Sequence, residues 1–420
     1  MGQSCSTPPS DTKNYDLASS FGKFFKDICT ENKILSQETI ALIQSHLSEG
    51  NIQDTASVIR DALSDIEKAP IDIAVTGETR AGKFSFINAL RGVRPEEEGA
   101  AETGVVKTTV ERVPYKHPKF PSVTVWDLPG IGTTRFPPHN YLQEMKFQEY
   151  DIFFIISAKH FTPNDTQLCV AIKKMRKNFY FVRTNVDSDL DKERVRKCRP
   201  LSPEEKKHVL QKIKTDCVTN LQKTKVTNSP VFLVSSFEVS GYDFPDLQTT
   251  LLRELPAYKR HIFMLSLPAV VEATMDRKSN SLKQKIWLDA LKIRVPDPIL
   301  AVSYFSPEEV DSLRETLTLY RSYFQLDDAS LEQVAKDLHV SMVELKANLK
   351  SHCLLPIERL DESLGRMLWR CVPFYLLNGG LIATDACISR KFYLHNYLLD
   401  VVVSDAKYLL KKREILRVRQ

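Results

Sequence analysis

Short apolar segments alternate with helical segments between residues 71 and 255, and this alternation limits the fold more than any other feature of the chain. The apolar segments read IDIAVT, VTVWDL, DIFFIIS, NFYFVRT and PVFLVS. Uninterrupted apolar runs of this length are typical of strands that are buried on both faces, and their alternation with helices indicates βαβ units. The sequence therefore predicts an α/β region with a mostly parallel, doubly wound sheet.

Helical periodicity dominates on both sides of this region. Helical patterns lie near 17–29, 36–48 and 52–67, and further ones cover 306–324 and 330–349. We expect four parts in chain order, namely a flexible leader (1–14), an N-terminal helical part (15–70), an α/β domain (71–255) and a C-terminal helical domain (256–420). The α/β domain would then be inserted into an all-helical domain that both ends of the chain build together.

The composition is that of a soluble globular chain long enough for two domains. The 420 residues are 42% hydrophobic and 26% charged, with a formal net charge of +5. The eight cysteines include no C-x-x-C pair, which argues against a zinc site or a disulfide framework and favours reduced thiols in the cytosol. No signal peptide is recognised, and the longest apolar run, residues 371–383, is too short for a membrane span. No basic patch with interleaved aromatics indicates nucleic-acid binding.

The segment VTGETRAGKFSF links the first predicted strand to a helix and contains the pattern G-x-x-x-x-G-K. In a strand–loop–helix context, this pattern directs backbone N–H groups and the positive end of the helix at phosphates. Lys83 is predicted to reach the β- and γ-phosphates and to be catalytic. The predicted phosphate-binding set is Gly77, Glu78, Thr79, Arg80, Ala81, Gly82, Lys83 and Phe84. Phe84 stands where a Ser or Thr hydroxyl would bind Mg²⁺.

A second motif, WDLPG, follows the second apolar strand and has the form D-x-x-G. In phosphate-loop GTPases the aspartate of this motif helps to hold Mg²⁺, and the glycine amide contacts the γ-phosphate. Asp127 and Gly130 are therefore predicted site residues, with Asp127 at the metal. Thr103, Thr108 and Thr109 are candidates for a threonine that binds Mg²⁺ and assists catalysis, and Thr103 is preferred. The alternative is an ordinary turn after a strand.

A third motif, TNVD, ends the strand NFYFVRT and is close to the guanine-recognition pattern [NT]-K-x-D. The Asp187 carboxylate can accept hydrogen bonds from two donors on guanine, which adenine cannot supply, so GTP is favoured over ATP. Asn185 occupies the lysine position of the pattern. Ser235 and Ser236 follow the next strand, where a further base-contacting loop is expected. The alternative for Asp187 is a carboxylate that caps a turn.

The two chain ends carry possible membrane signals. The start, MGQSCS, matches the N-myristoylation pattern at Gly2, and Cys5 is a candidate for palmitoylation. One myristoyl chain alone binds membranes only marginally, so a second signal would be needed. The tail, KYLLKKREILRVRQ, has six basic residues and one acidic residue. It is either a solvated terminal helix or a helix attracted to an anionic membrane surface.

Taken with these motifs, the chain resembles the interferon-inducible immunity-related GTPases of the subgroup whose loop contains Gly-Lys rather than Gly-Met. The segments that carry the resemblance are DIEKAPIDIAVTGET, FINALRG, EEEGAAETG, WDLPGIGTT, EMKFQEYDIFFIIS and LYRSYFQLDDASL. The resemblance implies a dynamin-like GTPase that binds GTP and GDP and forms oligomers with itself or related GTPases. It also implies cell-autonomous defence against intracellular pathogens, on endoplasmic reticulum, Golgi or pathogen-vacuole membranes.

The chain departs from that family at four positions of the site. Where the family usually has Gly, Ser, Lys and Asn, this chain has Arg80, Phe84, Asn185 and Ser236. Phe84 removes a Mg²⁺ ligand, Asn185 loses a long stem along the base, and Ser236 shortens a contact with the base. Arg80 adds bulk where glycine's freedom is useful, or supplies a cation near the phosphates. We therefore expect weakened Mg²⁺ binding and impaired hydrolysis.

Three functional hypotheses follow from these observations. The first is a working GTPase of the family, and the second is a pseudo-GTPase that regulates or caps assemblies of active relatives. The third is a lipid-anchored membrane protein whose nucleotide site is vestigial. Turnover with and without an active relative separates the first two, and membrane partitioning of Gly2→Ala tests the third.

Overall fold

The computed structural model describes residues 12–78, 80–101, 111–130, 138–159, 161–223, 229–292, 307–354 and 386–419. The chain divides into two compact units. The sheet unit comprises Lys68–Leu255 and Ser266–Val270, and the helical unit comprises Met1–Glu67, Pro256–Leu265 and Val271–Gln420. The predicted domain ranges remain a proposal about the parts that fold independently.

Several predicted residues lie outside the described residues. They are Gly2 and Cys5 at the start, Thr79 in the loop, and Thr103, Thr108 and Thr109 between the first two motifs. The apolar run 371–383 also lies outside them.

The sheet unit contains a six-stranded sheet with the order β2-β3-β1-β4-β5-β6 among its described residues. The strands are β1 (Ile71–Gly77), β2 (Val113–Lys116), β3 (Val123–Asp127), β4 (Ile152–Ser157), β5 (Phe179–Arg183) and β6 (Val231–Leu233). All neighbouring strands are parallel except β2 and β3, which are antiparallel. The predicted α/β class with a mostly parallel sheet is therefore confirmed.

Strand β2 is absent from the sequence-based expectation, which contained five strands. Its four residues, VPYK, are mostly exposed and include a proline. A short, polar edge strand produces no apolar run, and proline is tolerated there because an edge strand leaves some N–H groups unpaired. This strand therefore has no strong sequence signal.

The sheet is covered on both faces, as a doubly wound fold requires. On one face, Phe153 and Ile155 of β4 belong to a buried cluster with Leu168 and other helical residues. Residue 154 points the opposite way because side chains alternate along a strand. There the rings of Phe154 and Phe86 meet with centroids 5.0 Å apart. The apolar strand segments are thus buried on both sides.

Two short 3-10 helices cover Thr30–Asn32 and Phe147–Glu149, and sixteen α-helices occur in the described residues and are numbered in chain order. They are α1 (Thr12–Lys26), α2 (Gln37–Ser48), α3 (Ile52–Lys68), α4 (Lys83–Arg91), α5 (Pro138–Glu144), α6 (Pro163–Lys174), α7 (Val186–Lys197), α8 (Pro203–Lys223), α9 (Phe244–Glu254), α10 (Ala257–Ser266), α11 (Glu272–Lys292), α12 (Pro307–Tyr323), α13 (Asp328–Leu338), α14 (Met342–Ala347), α15 (Lys350–Cys353) and α16 (Ala386–Arg419). Helix α1 begins at Thr12, inside the segment 1–14 that the sequence indicated as a leader. In the described part of the chain, no helix has the length and apolar character needed to cross a membrane.

The helical unit has its own core, in which the N-terminal helices pack against α11. Phe21, Phe25 and Trp287 are buried in one apolar cluster, and the rings of Phe21 and Trp287 meet edge to face at 5.3 Å. The Gln284 side chain joins the same two chain regions, because its Oε1 accepts from Ile34 N–H at 3.1 Å and its Nε2 donates to Asn32 O at 2.9 Å. Both ends of the chain therefore contribute to one folded unit.

Candidate functional site

The predicted motifs collect at one edge of the sheet because the strands that precede them are parallel. Val75 of β1 lies opposite Asp127 of β3, and Ser157 of β4 lies opposite Arg183 of β5. Arg183 in turn lies opposite Leu233 of β6. The segments that follow these strands therefore leave the sheet at the same carboxyl edge, which is where ligands bind in open α/β sheets.

The loop between β1 and α4 requires glycine at both glycine positions of the G-x-x-x-x-G-K pattern. Gly77 has φ +136°, and a Cβ added there would lie 2.1 Å from Ile156 O on the neighbouring strand. Gly82 has φ +83° and is the N-cap residue of α4, whose first residue is Lys83. The loop therefore runs directly into a helix N-terminus, the arrangement that presents N–H groups to an anion.

Arg80 adopts a backbone conformation that suits glycine. Its φ is +66°, in the left-handed region, and its side chain is exposed. This conformation costs a residue with a Cβ about 1–2 kcal/mol relative to the right-handed region. The loop thus has a glycine-like backbone conformation at a position occupied by arginine.

Lys83 and Asp127 form the charged interior of the site. Lys83 is only 7% exposed, and its Nζ donates to Gly77 O and Glu78 O at the long distance of 3.4 Å. Burial lowers the pKa of the Lys83 ammonium, and the negative charge of Asp127 opposes this shift. Asp127 is fully buried at the end of β3. Within the described residues, the cation therefore interacts with a nearby carboxylate and makes long hydrogen bonds, as expected for a residue that can bind an anionic ligand.

Thr184 connects the loop to the third motif. Its Oγ1 donates to Ala81 O at 2.7 Å, and its backbone N–H donates to Ser157 O at 2.9 Å. A Cβ added at Gly82 would lie 3.6 Å from Asn185 Oδ1. The loop that suits phosphates and the segment that suits a base are therefore in direct contact.

Asn185 and Asp187 stand at the start of α7. Asn185 is the N-cap residue with φ +57°, a left-handed conformation that asparagine tolerates better than most residues. Asp187 lies in the first turn of α7 and is half-buried. Burial raises the pKa of Tyr242 to about 12, and nearby carboxylates, including Asp187, add to this shift.

The two serines after β6 have different surroundings. Ser235 is fully buried, and its Oγ accepts from Phe237 N–H at 3.2 Å and from Glu238 N–H at 3.3 Å. The Oγ of Ser236 is also buried, but within the described part of the chain it has no hydrogen-bond partner. A buried hydroxyl without a partner is uncommon in native structures and calls for a specific explanation, such as a bound water, an ion or a functional role.

The described residues fit a nucleotide better than they fit its metal. Phe84 is half-buried in the first turn of α4 and has no oxygen that could bind Mg²⁺. Asp127 supplies a carboxylate, the ligand type that Mg²⁺ takes from proteins. Within the described ranges no group of three or more His, Cys, Asp or Glu side chains could hold a metal ion. Of these two motif positions, Asp127 therefore has a side chain that could bind Mg²⁺, and Phe84 does not.

Two residues at this edge were not predicted as site residues. Thr184 is the first residue of TNVD. Its position directly before the predicted base-contacting residues is the sequence feature that could have identified it. Tyr141 lies on α5 and bonds to Pro129 O, next to Gly130. Nothing in its local sequence indicates this contact.

Comparison with known proteins gives a consistent set of relatives. The family model described as "Interferon-inducible GTPase (IIGP)" matches residues 36–413. The Mus musculus protein "Interferon-gamma-inducible GTPase 10" is 50% identical over 417 residues, which cover 99% of each chain. The Mus musculus "T-cell-specific guanine nucleotide triphosphate-binding protein 2" is 49% identical over 399 residues, or 95% of each chain. The structure of Aquifex aeolicus Era bound to GDP·AlF4⁻ is 18% identical over 44% of this chain and 56% of its own, with a TM-score of 0.30.

Proposed function

The chain belongs to the interferon-inducible GTPase family, and we propose that it binds GTP and GDP at the carboxyl edge of its sheet. The observation that carries this proposal is the 2.7 Å hydrogen bond from Thr184 Oγ1 to Ala81 O. It joins a loop suited to phosphates to a segment suited to a base, and a nucleotide carries these two groups at its two ends. The names of the similar mouse proteins support the same class of ligand.

In this proposal, the phosphates lie over the N-terminus of α4. The backbone N–H groups of residues 78–83 would bind phosphate oxygens, and Lys83 would contribute the counter-charge at the β- and γ-phosphates. Burial disfavours the Lys83 charge in the free protein. An anionic ligand reverses this penalty, so the ligand and the ammonium stabilise each other.

The base lies between Asn185 and Ser236, with Asp187 at its edge. The Asp187 carboxylate would accept hydrogen bonds from the two N–H donors of guanine, and each is worth about 1.5–3 kcal/mol. Ser236 Oγ is buried without a partner in the described residues, and a nucleotide would supply one. Asp187 therefore selects guanine, and Ser236 adds a weaker contact.

Magnesium binding is the weak part of this site. When bound, the ion neutralises charge on the β- and γ-phosphate oxygens. Asp127 and, as a proposal, Thr103 would hold it, whereas Phe84 offers no ligand. We therefore propose weakened Mg²⁺ binding and slow hydrolysis.

The incomplete metal site favours an alternative function within the same family. A chain that binds nucleotide but hydrolyses it slowly would regulate or cap assemblies of active relatives rather than turn over with them. The observation behind this alternative is Phe84 in the first turn of α4. Turnover measured alone and with an active relative separates the two functions.

Membrane association in cell-autonomous defence is a further part of the proposal. The site of action would be endoplasmic reticulum, Golgi or vacuole membranes, through a myristoyl group on Gly2 and with Cys5 as a second acyl site. The basic tail offers less charge than its sequence suggests. Lys407 is paired with Asp276 at 2.6 Å, and Arg413 with Asp337 at 3.1 Å. The acyl group would therefore be the principal anchor.

A change of base specificity tests the proposal directly. Xanthine has a carbonyl where guanine has its amino group, so Asp187→Asn should bind xanthosine diphosphate and lose GDP. We expect the affinity for GDP to fall at least ~100-fold, the loss of two charge-assisted hydrogen bonds. The measurement is the dissociation constant of each nucleotide on the full-length protein, with and without Mg²⁺.

The matched control is Asp191→Asn, one turn further along α7. Asp191 pairs with Arg194 at 3.3 Å on the surface, so its variant should bind GDP as the wild type does. An equal loss in both variants, or wild-type protein that binds neither nucleotide, would refute the proposed base site. A GDP affinity that rises tenfold or more with Mg²⁺ would contradict the weakened metal site.

A further inference from the structure

We propose that the hydroxyl of Tyr141 fixes the orientation of the peptide bond between Pro129 and Gly130, and thereby sets how well the site distinguishes a nucleoside triphosphate from a diphosphate. The inference rests on the proposed nucleotide binding and assigns a positioning role to a residue outside every predicted motif. The residues that carry it are Thr76, Tyr141 and Pro129, which we call the Tyr141 latch.

The latch is a buried chain of two hydrogen bonds. Tyr141 is fully buried, and its hydroxyl donates to Pro129 O at 2.6 Å. Thr76 Oγ1 lies 2.8 Å from the same hydroxyl. A phenol has one hydrogen, so Thr76 must be the donor in the second bond. The chain therefore runs from Thr76 on β1 through Tyr141 on α5 to the carbonyl of Pro129, and each bond polarises the next.

Fixing the Pro129 carbonyl also fixes the Gly130 amide. The two groups belong to the same peptide unit, which is planar and trans, so its C=O and N–H point in opposite directions. The carbonyl is turned towards the buried Tyr141 hydroxyl, so the Gly130 N–H is turned away from it. A flip of this peptide would break the bond from Tyr141 and reverse the direction of the amide.

The surroundings hold both ends of the latch in place. The Leu128 N–H donates to Val75 O at 2.9 Å, so the residue before Pro129 is fixed on β1. The Tyr141 ring packs edge to face against Phe147, with centroids 5.6 Å apart. Burial raises the pKa of Tyr141, and the charge of Asp127 adds to this shift, so the hydroxyl keeps its proton. The donor is therefore permanent at physiological pH.

The consequence for ligands follows from the D-x-x-G motif. Its glycine amide contacts the γ-phosphate, which a diphosphate lacks. In this proposal the Gly130 amide is held in the direction that faces the γ-phosphate, and this stabilises the triphosphate complex. An amide that flips freely loses part of that stabilisation. Loss of the latch should therefore weaken triphosphate binding and leave diphosphate binding unchanged.

The test compares two tyrosine-to-phenylalanine variants in the full-length protein. Tyr141→Phe removes the latch oxygen. Tyr150→Phe is the matched control, because Tyr150 is also buried, at 1% exposed, and its hydroxyl donates to Met145 O at 3.0 Å and accepts from Arg112 at 3.3 Å, whereas the bond to Pro129 O comes from Tyr141. Dissociation constants for GDP and for the slowly hydrolysed GTPγS are measured by competition with fluorescent GDP. We expect Tyr141→Phe to shift the GTPγS-to-GDP ratio about fivefold against GTPγS, the equivalent of one hydrogen bond.

A second variant and a ligand-free measurement complete the design. Thr76→Val removes the upstream donor and should shift the ratio in the same direction by a smaller factor. Hydrogen exchange of the Gly130 amide in the free protein should speed up in Tyr141→Phe and not in Tyr150→Phe. An unchanged ratio and exchange rate in Tyr141→Phe, or equal changes in both tyrosine variants, would overturn the latch. If wild-type protein binds neither nucleotide, the proposed function fails, and the exchange rate still decides whether the latch exists.

Discussion

In the helical unit, helix α11 buries several polar side chains that bond to protein groups, among them Lys278 and Ser281. Lys278 Nζ donates to Leu265 O at 2.8 Å and to Tyr323 O at 2.9 Å, near the ends of two helices. Ser281 Oγ lies 2.7 Å from His261 Nδ1. At the loop edge of the sheet unit, by contrast, the hydrogen bonds that Lys83 Nζ makes to described residues are both 3.4 Å long and go to backbone carbonyls. The two regions therefore bury similar polar groups, but the groups differ in how well they are hydrogen-bonded.

This contrast separates polar groups that stabilise the fold from polar groups that we propose to contact a ligand. Around α11, each buried donor replaces water with a protein acceptor, which contributes to the free energy of unfolding. At the loop edge, strained backbone and weakly bonded groups lower that free energy, and such features persist where a site requires them. Substitutions should therefore destabilise the first region and often stabilise the second.

The largest effect is expected at Gly77. This residue is an exception to the contrast, because it is a strained residue of the loop edge whose substitution should destabilise the fold. Gly77→Ala puts a Cβ 2.1 Å from Ile156 O at φ +136°, so the strand or the loop must move. We expect a loss of about 4 kcal/mol in the free energy of unfolding, measured by urea denaturation. In the control Gly99→Ala, φ is +78° but nothing lies within 4 Å of the added Cβ, so about 1 kcal/mol is expected. Equal losses would refute the close approach.

Lys278→Met tests the helical side of the comparison. Lys278 is 2% exposed, and its removal leaves two carbonyls near helix ends without their charged donor. We expect a loss of about 3 kcal/mol in the free energy of unfolding. The control is Lys283→Met on the same helix, which removes a 2.9 Å surface pair with Asp400 and should cost at most about 1 kcal/mol. A neutral Lys278→Met would erase the distinction between the two regions.

The pH dependence of stability should have opposite signs in the two units. Burial lowers the pKa of His261 in the helical unit to about 3, and the charge of Lys285 adds to this shift. The neutral form is favoured in the folded state, so its contribution is present above the unfolded pKa and is lost as pH falls from about 6.5 towards 3. Burial raises the pKa of Asp165 in the sheet unit to about 6. The contribution of Asp165 is therefore present below the unfolded pKa of about 4 and is lost as pH rises to about 6.

Variants without these titrating groups reveal the two signs. Between pH 7.5 and pH 5, wild-type protein should lose about 2 kcal/mol relative to His261→Gln. Over the same interval it should gain about 1 kcal/mol relative to Asp165→Asn. Denaturant unfolding of all three proteins at both pH values gives these differences. If the stability difference changed with the same sign in both variants, the opposite pKa shifts of His261 and Asp165 would be contradicted.

The smallest effect is expected from Arg80→Gly. Glycine adopts the left-handed conformation at φ +66° without the clash that a Cβ causes, and the greater freedom of the unfolded chain offsets part of the gain. We expect unfolding to become harder by about 0.5–1 kcal/mol, measured by urea denaturation. The control is Arg94→Gly, whose residue lies outside the left-handed region and should lose stability. A destabilised Arg80→Gly would show that the arginine side chain holds the loop.

The sequence predicts the parallel strands well because each is a long apolar run that periodicity identifies. The elements at the boundary of the site also follow local rules, since Gly77 and Gly82 stand where the backbone needs positive φ. Strand β2 could not be predicted, because four exposed residues pair at the sheet edge without an apolar pattern. Local sequence thus specifies elements that bury their own side chains.

The side-chain contacts of the site depend on residues far apart in the sequence. Thr184 and Ala81 are separated by 103 positions, and Tyr141 and Thr76 by 65. Such distances are set by how strands and helices pack, which a single sequence does not state. The side chains that we propose to contact the ligand follow sequence motifs, whereas the contacts that connect the motifs are seen only in the three-dimensional structure.

The hydroxyl of Thr184 has a consequence for how tightly any ligand can be held. It fastens Ala81 to the start of the base segment before a ligand arrives, so the spacing of the two halves is already set. Association then sacrifices less chain entropy than it would if a mobile loop had to be captured. If the proposed site binds nucleotide, a ligand whose length does not match this spacing should gain less from the preorganisation.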